Sequence, residues 1–219
     1  MALNYAKRYS TKENLSDFWS NGIDNVRKKI DKYFKLILLL SKKKIHANGF
    51  ENDTVYNFSV DGVHCSTMEK RKNPMAKVYS HKFHGPGIAY EVGIAIFEER
   101  VLWIKGPFVA STHDATMFQS NDGLHKDMPK QSMGIADSAY RKIGCITTHR
   151  EGHSSKMRKF INCVCARHES FFKRLKDFNI LKLKFCGSYD NHEEHRMYFE
   201  ACCVLVQYDM ENGHPLMET

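Results

Sequence analysis

Between residues 88 and 108 the chain runs IAYEVGIAIF, breaks at Glu98-Glu99 and returns as RVLWIKGPF. Two apolar runs rich in β-branched and aromatic residues, parted by one polar pair, predict a hairpin. A hairpin of this kind must bury its apolar side chains against other elements. Further strands are predicted at 55–63 (VYNFSVDGV), over a short stretch at 77–83 (KVYSHKF), at 133–137 (MGIAD) and at 144–148 (GCITT). Residues 14–44 read as helix: Ile23, Val26, Ile30, Phe34, Ile37 and Ser41 recur at helical spacing, with Arg27, Lys28, Lys29 and Lys32 mostly on the other side. Asn48-Gly49 signals a turn beyond it. Thr112 is the N-cap candidate for a helix over about 113–125. A long helix is predicted over about 154–178, capped by Ser154 or Ser155, with Met157, Phe160, Ile161, Val164, Phe171, Phe172, Leu175 and Phe178 on one face. A last helix is predicted over about 192–211, with Gly213 just past its end. The order strand, hairpin, helix, strand, short strand, long helix predicts a mixed sheet with helices packed on it, an α/β fold.

Several function classes are excluded at this level. No run approaches the roughly 20 apolar residues of a membrane span; the longest, FKLILLL at 34–40, is flanked by lysines. The first residues, MALNYAKRYSTKEN, lack the apolar segment of a signal peptide. Seven cysteines (Cys65, Cys145, Cys163, Cys165, Cys186, Cys202 and Cys203) form no CxxC pair, so reduced thiols are expected rather than a disulfide framework or zinc site. An intracellular compartment follows. The net charge is +8, of which residues 1–50 carry +7 (11 Lys/Arg less 4 Asp/Glu). Basic residues bunch again at 141–184: Arg141, Lys142, Arg150, Lys156, Arg158, Lys159, Arg167, Lys173, Arg174, Lys176, Lys182 and Lys184. Such bunching suits a phosphate backbone, while for any single lysine a solvated helix face is the simpler account.

Within FSVDGVHC (58–65) an aspartate interrupts an apolar strand and a glycine follows it. Asp61-Gly62 reads as a turn, or as an acid set at a strand end. Asp137 ends the predicted strand MGIAD in the same way. Glu169 lies on the long helix, about 60° outside its apolar stripe beside Phe172, where it can point along the sheet toward the strand ends. Carboxylates crowded at a strand-end crevice repel one another, and a divalent metal relieves this. Oxygen ligands suit Mg²⁺ or Mn²⁺, and two such ions about 3.5–4 Å apart can hold an attacking and a leaving oxygen in line. Taken singly, each acid is better read as an ordinary turn, strand-end or surface residue, and spacing alone does not single out the triad.

The stretches VDGVHC (60–65), PGIAYEVGIAI (86–96), GPFVASTHDATMF (106–118), IADSAY (135–140), ARHESFFKRLKDF (166–178) and QYDMENGHPL (207–216) occur in an order that resembles DDE superfamily endonucleases, the catalytic domain of Harbinger-type transposases. FWSNGIDNVRKKIDKY is similar to the helical lead-in to that domain. The resemblance implies an RNase H-like fold over 55–219 behind a basic helical lead-in over 1–54. It also implies the catalytic and metal-holding triad Asp61, Asp137 and Glu169, a divalent cofactor (Mg²⁺ or Mn²⁺), and cutting of DNA at transposon ends. It assigns His113-Asp114 to the family's HD block, here expected only to cap and orient a helix.

On this basis Asp61 is expected to bridge two metals, Asp137 to share in holding them and Glu169 to complete one site. One metal activates the water that attacks the phosphodiester and the other steadies the leaving 3′ oxygen. In strand transfer a 3′-hydroxyl replaces the water. Arg141, Lys142, Lys156 and Lys173 are the candidate DNA contacts. His64 is expected to be a plain strand residue, and Arg167, about 160° from Glu169 on the helical projection, to contact DNA or to pack. Related transposases carry an upstream helix-turn-helix; residues 1–54 show no recognition helix, so the chain is expected to be a fragment, a decayed copy or a form that relies on a separate DNA-binding partner, with a nuclear site of action, and self-association is compatible with each. The family's DSGY block reads DSAY here, so a positive φ at Ala139 would be strained. Two rivals stand beside this reading: a transposase-derived DNA- or partner-binding protein that does not cut, and a nuclease acting on RNA or hybrids.

Overall fold

The computed structural model describes residues 1–47, 55–68, 78–80, 82–126, 133–141, 143–186 and 189–216. Asn48-Gly49 and Lys142 lie outside the described residues. The centre is β3 (Gly85–Ala95), with every residue after Gly85 buried, which accounts for the unbroken apolar run. It pairs antiparallel with β1 (Tyr56–Ser66) on one side and with β4 (Val101–Val109) on the other. The short β2 (Tyr79–Ser80) joins its first residues. Beyond β1 come β5 (Met133–Ile135) and β6 (Ile146–Thr147), both parallel. The order β4-β3-β1-β5-β6, with β2 as the sixth strand at the start of β3, makes a six-stranded mixed sheet, an RNase H-like arrangement.

Strand alternation divides the core in two. On one face Val63 and Cys65 of β1 and Tyr90 and Val92 of β3 meet α6 (Ser155–Lys176) and α8 (His192–Glu211) through Phe171, Leu175 and Phe199. On the other face Phe58 and Val60 meet Trp103, Phe118 and Tyr140. Both long helices fall close to the predicted ranges. Ser154, not Ser155, caps α6, its side chain accepting from the Met157 amide at 3.2 Å. Gly213, at φ 102°, closes α8.

The helix predicted over 14–44 is instead three pieces, preceded by α1 (Ala2–Arg8). These are α2 (Lys12–Trp19), α3 (Ile23–Leu38) and α4 (Ser41–Lys44). Ser20 in the left-handed region (φ 47°) and Gly22 as the next N-cap part α2 from α3. The buried stripe of α3 (Val26, Ile30, Phe34) packs on α8, with the Phe34 and Tyr198 rings 4.7 Å apart. The helix predicted over 113–125 is also shorter. α5 spans Asp114–Gln119, its N-cap is His113 rather than Thr112, and a separate 3-10 turn covers Leu124–Lys126. Asn121-Asp122-Gly123 breaks it, and Gly123 leaves no room for a side chain: a Cβ there would stand 2.2 Å from the Phe118 carbonyl oxygen. Among the described residues no helix is long and apolar enough to cross a membrane.

Two buried polar side chains tie the helices to the hairpin turn. Arg167 of α6 donates to the Ala95 carbonyl (2.6 Å), the Glu98 carbonyl (2.7 Å) and the Glu99 carboxylate (2.9 Å). Gln207 of α8 donates to the Glu99 carbonyl (2.7 Å) and accepts from the Val101 amide (2.7 Å). Of the two roles expected for Arg167, the structure shows the packing one.

Candidate active site

Asp61-Gly62 is neither a turn nor a strand end. β1 runs through it to Ser66, with Asp61 opposite Val92 and Gly62 opposite Glu91. What ends near Asp61 is the pairing with β5, whose last partners are Ser59 and Ile135. Two residues further along each chain stand Asp61 and Asp137. The pairing therefore ends two residues before each aspartate, and the Asp137 charge is felt at the Asp61 carboxyl. The local signal misled because Asp-Gly is as common in turns as it is rare in strands, and the pairing of both flanks with β3 overrides it.

Asp137 itself lies two residues past β5, exposed, as the N-cap of a 3-10 turn at Ser138–Tyr140. Its Oδ1 accepts from the Ala139 amide at 2.8 Å. Ala139 sits inside that turn without a positive φ, so alanine in the glycine position brings no strain. Glu169 is exposed on α6 rather than turned away from solvent. The residue before it, His168, is buried, and its Nδ1 meets the Ser59 hydroxyl at 2.9 Å. That bond fixes where α6 crosses β1, two residues before Asp61.

The three acids share a neighbour. Cys165, one turn before Glu169, has its thiol pushed up to about 11, first by burial and then by the charges of Asp61, Asp137 and Glu169. Iodoacetamide labelling of Cys165, read by peptide mass spectrometry, is therefore expected to rise only toward pH about 11. Asp61→Asn, Asp137→Asn and Glu169→Gln are each expected to speed it at a fixed pH of about 9, since each removes a charge that opposes the thiolate. A Glu169→Gln variant that labels at the unaltered rate would separate that carboxylate from the other two. The Asp61 carboxyl is pushed up to about 7, first by burial, with Asp137 and Asp114 adding to the shift; the Gly62 amide (2.7 Å) and the charge of Lys82 oppose it.

Asp114 explains the glycine. A Cβ on Gly62 would stand 2.5 Å from Asp114 Oδ1, so the carboxylate of the HD pair occupies the space a side chain at 62 would need. Burial, with the Asp137 charge, also raises the Asp114 carboxyl, against the opposing charge of Lys82. The acid missed in the sequence is Glu91, wholly buried on β3 beside Gly62. A glycine inside a strand was the available signal for Asp114; Glu91, lying within an apolar run, gave none.

A family model for DDE superfamily endonucleases matches residues 60–207, from the residue before Asp61 to Gln207 on α8. The chain is a member of that family. Comparison with curated proteins and with solved structures gives no significant match. Membership supports a nuclease- or transposase-like function, and endonucleases of this family generally use divalent metals. The donor chemistry here fits such an ion: Asp61, Asp137 and Glu169 offer hard oxygen atoms, and among the described residues none of them forms an ion pair with Lys, Arg or His. As the side chains lie, no three His, Cys, Asp or Glu groups among the described residues stand close enough together to enclose a metal.

The basic bunch at 141–184 divides by environment. Arg141, Lys156 and Lys173 are exposed. Arg167, Arg174 and Lys176 are structural ties: Arg174 donates to the Pro215 carbonyl (2.6 Å), and Lys176 to the His64 (2.7 Å) and Leu181 (2.8 Å) carbonyls. His64 stacks on Phe83 (4.4 Å, 10°), and burial holds its ring down at about 4.

Proposed function

We propose that this endonuclease domain cuts DNA phosphodiester bonds with Asp61, Asp137 and Glu169 as its carboxylates, as a Harbinger-type transposase does. The observation supporting this most strongly is the β1–β5 register, which leaves one aspartate two residues beyond each last-paired residue. Asp61 and Asp137 would hold two divalent cations, Mg²⁺ or Mn²⁺, with Asp61 shared and Glu169 completing one set. Such ions, when bound, supply positive charge to the attacked phosphate and to the oxygen that leaves. The chain's part is to present the carboxylates. The Gly62 amide steadies one oxygen of Asp61, and the Ala139 amide does the same for Asp137. The buried Ser59–His168 bond orients α6, which carries Glu169. Arg141, Lys142, Lys156 and Lys173 would meet the DNA backbone without reading its sequence. No side-chain nucleophile is required, so the thiols and imidazoles have no chemical step to perform. A DNA 3′-hydroxyl in place of water would turn cutting into strand joining, and the nucleus is the site of action this reading implies.

A second reading, a chain that binds DNA or a partner without cutting, is favoured by the spread of the acidic groups in the structure. Incubating duplex DNA with the protein in Mg²⁺, in Mn²⁺ and in chelator decides between the two. Nicks or breaks that require the metal are expected. DNA retention with no cutting in either metal would leave only the second reading, and RNA and hybrid duplexes run alongside test the substrate class.

A further inference from the structure

Glu91 is an acid where the fold has least use for one. It sits in the middle of the central strand, has no exposure to solvent, and among the described residues faces no Lys or Arg in an ion pair. Burying an unpaired carboxyl group costs free energy that an apolar residue there would not. Its Oε1 accepts from the Tyr140 hydroxyl at 3.1 Å, while its Oε2 has no partner among the described residues.

Both ends of that hydrogen bond lead to the candidate catalytic acids. Glu91 stands directly across from Gly62, the neighbour of Asp61. Tyr140 is the last residue of the 3-10 turn that Asp137 caps, its amide returning to the Asp137 carbonyl at 3.3 Å. Its ring is fully buried, edge-on to Phe118 with centroids 6.0 Å apart, so the hydroxyl has little freedom to point elsewhere. The β1–β5 pairing stops at Ser59 and Ile135, which leaves no sheet hydrogen bond to set the distance between Asp61 and Asp137.

We propose that Glu91 is a positioning residue that holds the Asp137 turn against the central strand through the Tyr140 hydroxyl and so sets the spacing between Asp137 and Asp61. This rests on the reading of those two aspartates as the cation-holding pair. The carboxyl of Glu91 is pushed up to about 8, first by burial, with the charges of Asp114 and Asp61 adding to the shift and the Tyr140 hydroxyl and the Leu124 backbone amide opposing it. The shift favours the neutral form of Glu91, which hydrogen-bonds without adding charge beside Asp61.

The test uses the full chain and the variants Tyr140→Phe, Glu91→Leu, Glu91→Gln and the double variant Glu91→Leu/Tyr140→Phe. The readouts are Mn²⁺ binding by titration calorimetry and the kcat and KM of DNA cutting. Tyr140→Phe and Glu91→Leu are each expected to weaken Mn²⁺ binding and lower kcat by about tenfold, with KM for DNA within about twofold, because misplacing a reacting group costs rate rather than DNA binding. The double variant is expected to be no worse than either single one, since both remove the same bond. Glu91→Gln keeps an oxygen that can accept from Tyr140 and is expected to stay within about threefold of the unaltered protein.

A merely structural role would lower the melting temperature of Tyr140→Phe and leave the Mn²⁺ affinity and kcat of the folded protein unchanged; that result overturns the proposal. So do losses that add in the double variant, or a Glu91→Gln variant as poor as Glu91→Leu. Should Glu91→Leu fail to fold, Tyr140→Phe alone decides. If Asp61→Asn loses Mn²⁺ while Tyr140→Phe keeps full affinity and rate, positioning by Glu91 is wrong and the proposed function stands. If the unaltered protein neither binds Mn²⁺ nor cuts, both are wrong.

Discussion

Asp61→Asn is expected to reduce metal-dependent DNA cutting by at least about 10³-fold while leaving the fold intact, because charge stabilisation around a scissile phosphate supplies several kcal/mol that a neutral amide cannot anchor. The substitution is nearly isosteric and its carbonyl oxygen can still accept from the Gly62 amide, now at 2.7 Å from the aspartate. Stability should not fall, since a partly buried carboxyl pressed by the Asp137 and Asp114 charges is replaced by a neutral group. Circular dichroism and melting temperature check the fold, and gel assays of duplex cutting in Mg²⁺ and Mn²⁺ check the rate. The pH dependence has a definite sign. The free Asp61 carboxyl titrates at about 7, raised from 3.8, so protons compete with the cation as pH falls through that value and cutting weakens on the acid side. Raising the Mg²⁺ concentration should move this limb to lower pH. Cutting that survives in both Asp61→Asn and Asp137→Asn would remove the acidic-triad mechanism.

How far the sequence reached depended on whether the deciding contact was local. The Glu98-Glu99 hairpin, the limits of α8 and a serine cap of α6 at 154 or 155 follow from spacing and capping chemistry, and the structure has them in place, with Ser154 as the cap. The missed features were set by neighbours far along the chain. Asp-Gly at 61–62 looks like a turn until β3 pairs with both of its flanks, and its glycine has a reason only when Asp114 arrives from α5, 52 positions away. Glu91 was invisible because an acid within IAYEVGIAIF is meaningful only once Tyr140 is seen to reach it, 49 positions on. Arg167 and Lys176, counted among the phosphate-binding lysines and arginines, were drawn inward by bare backbone carbonyls that no charge pattern reveals. The acids at 61, 137 and 169 were picked out by resemblance, whereas their surroundings, the shared Cys165 thiol and the Ser59–His168 tie, required coordinates.

Arg167→Met is expected to have the largest effect on stability, about 3 kcal/mol, lowering the melting temperature by roughly 6–12 °C in a chain of this size. The side chain of Arg167 is 4% exposed and that of its partner Glu99 32%, so the ion pair is partly screened and most of the loss comes elsewhere. The larger part is two carbonyl oxygens, of Ala95 and Glu98, that lose a charged donor at 2.6 and 2.7 Å in a place methionine cannot serve. Glu99 keeps the Leu216 amide at 2.8 Å, so the hairpin turn loosens from α6 without releasing the chain end. Arg167→Lys should recover only part of the loss, because one ammonium cannot span three acceptors that a planar guanidinium reaches together. Since α6 carries Glu169, loosening its hold on the hairpin should also depress cutting beyond what the unfolded fraction explains, a difference that rate measurements well below the melting temperature will expose. A Met variant melting within about 2 °C of the unaltered protein would mean that the tie is geometric only and that the core beneath it, Phe171 and Leu175 against β3, is enough to fix the helix.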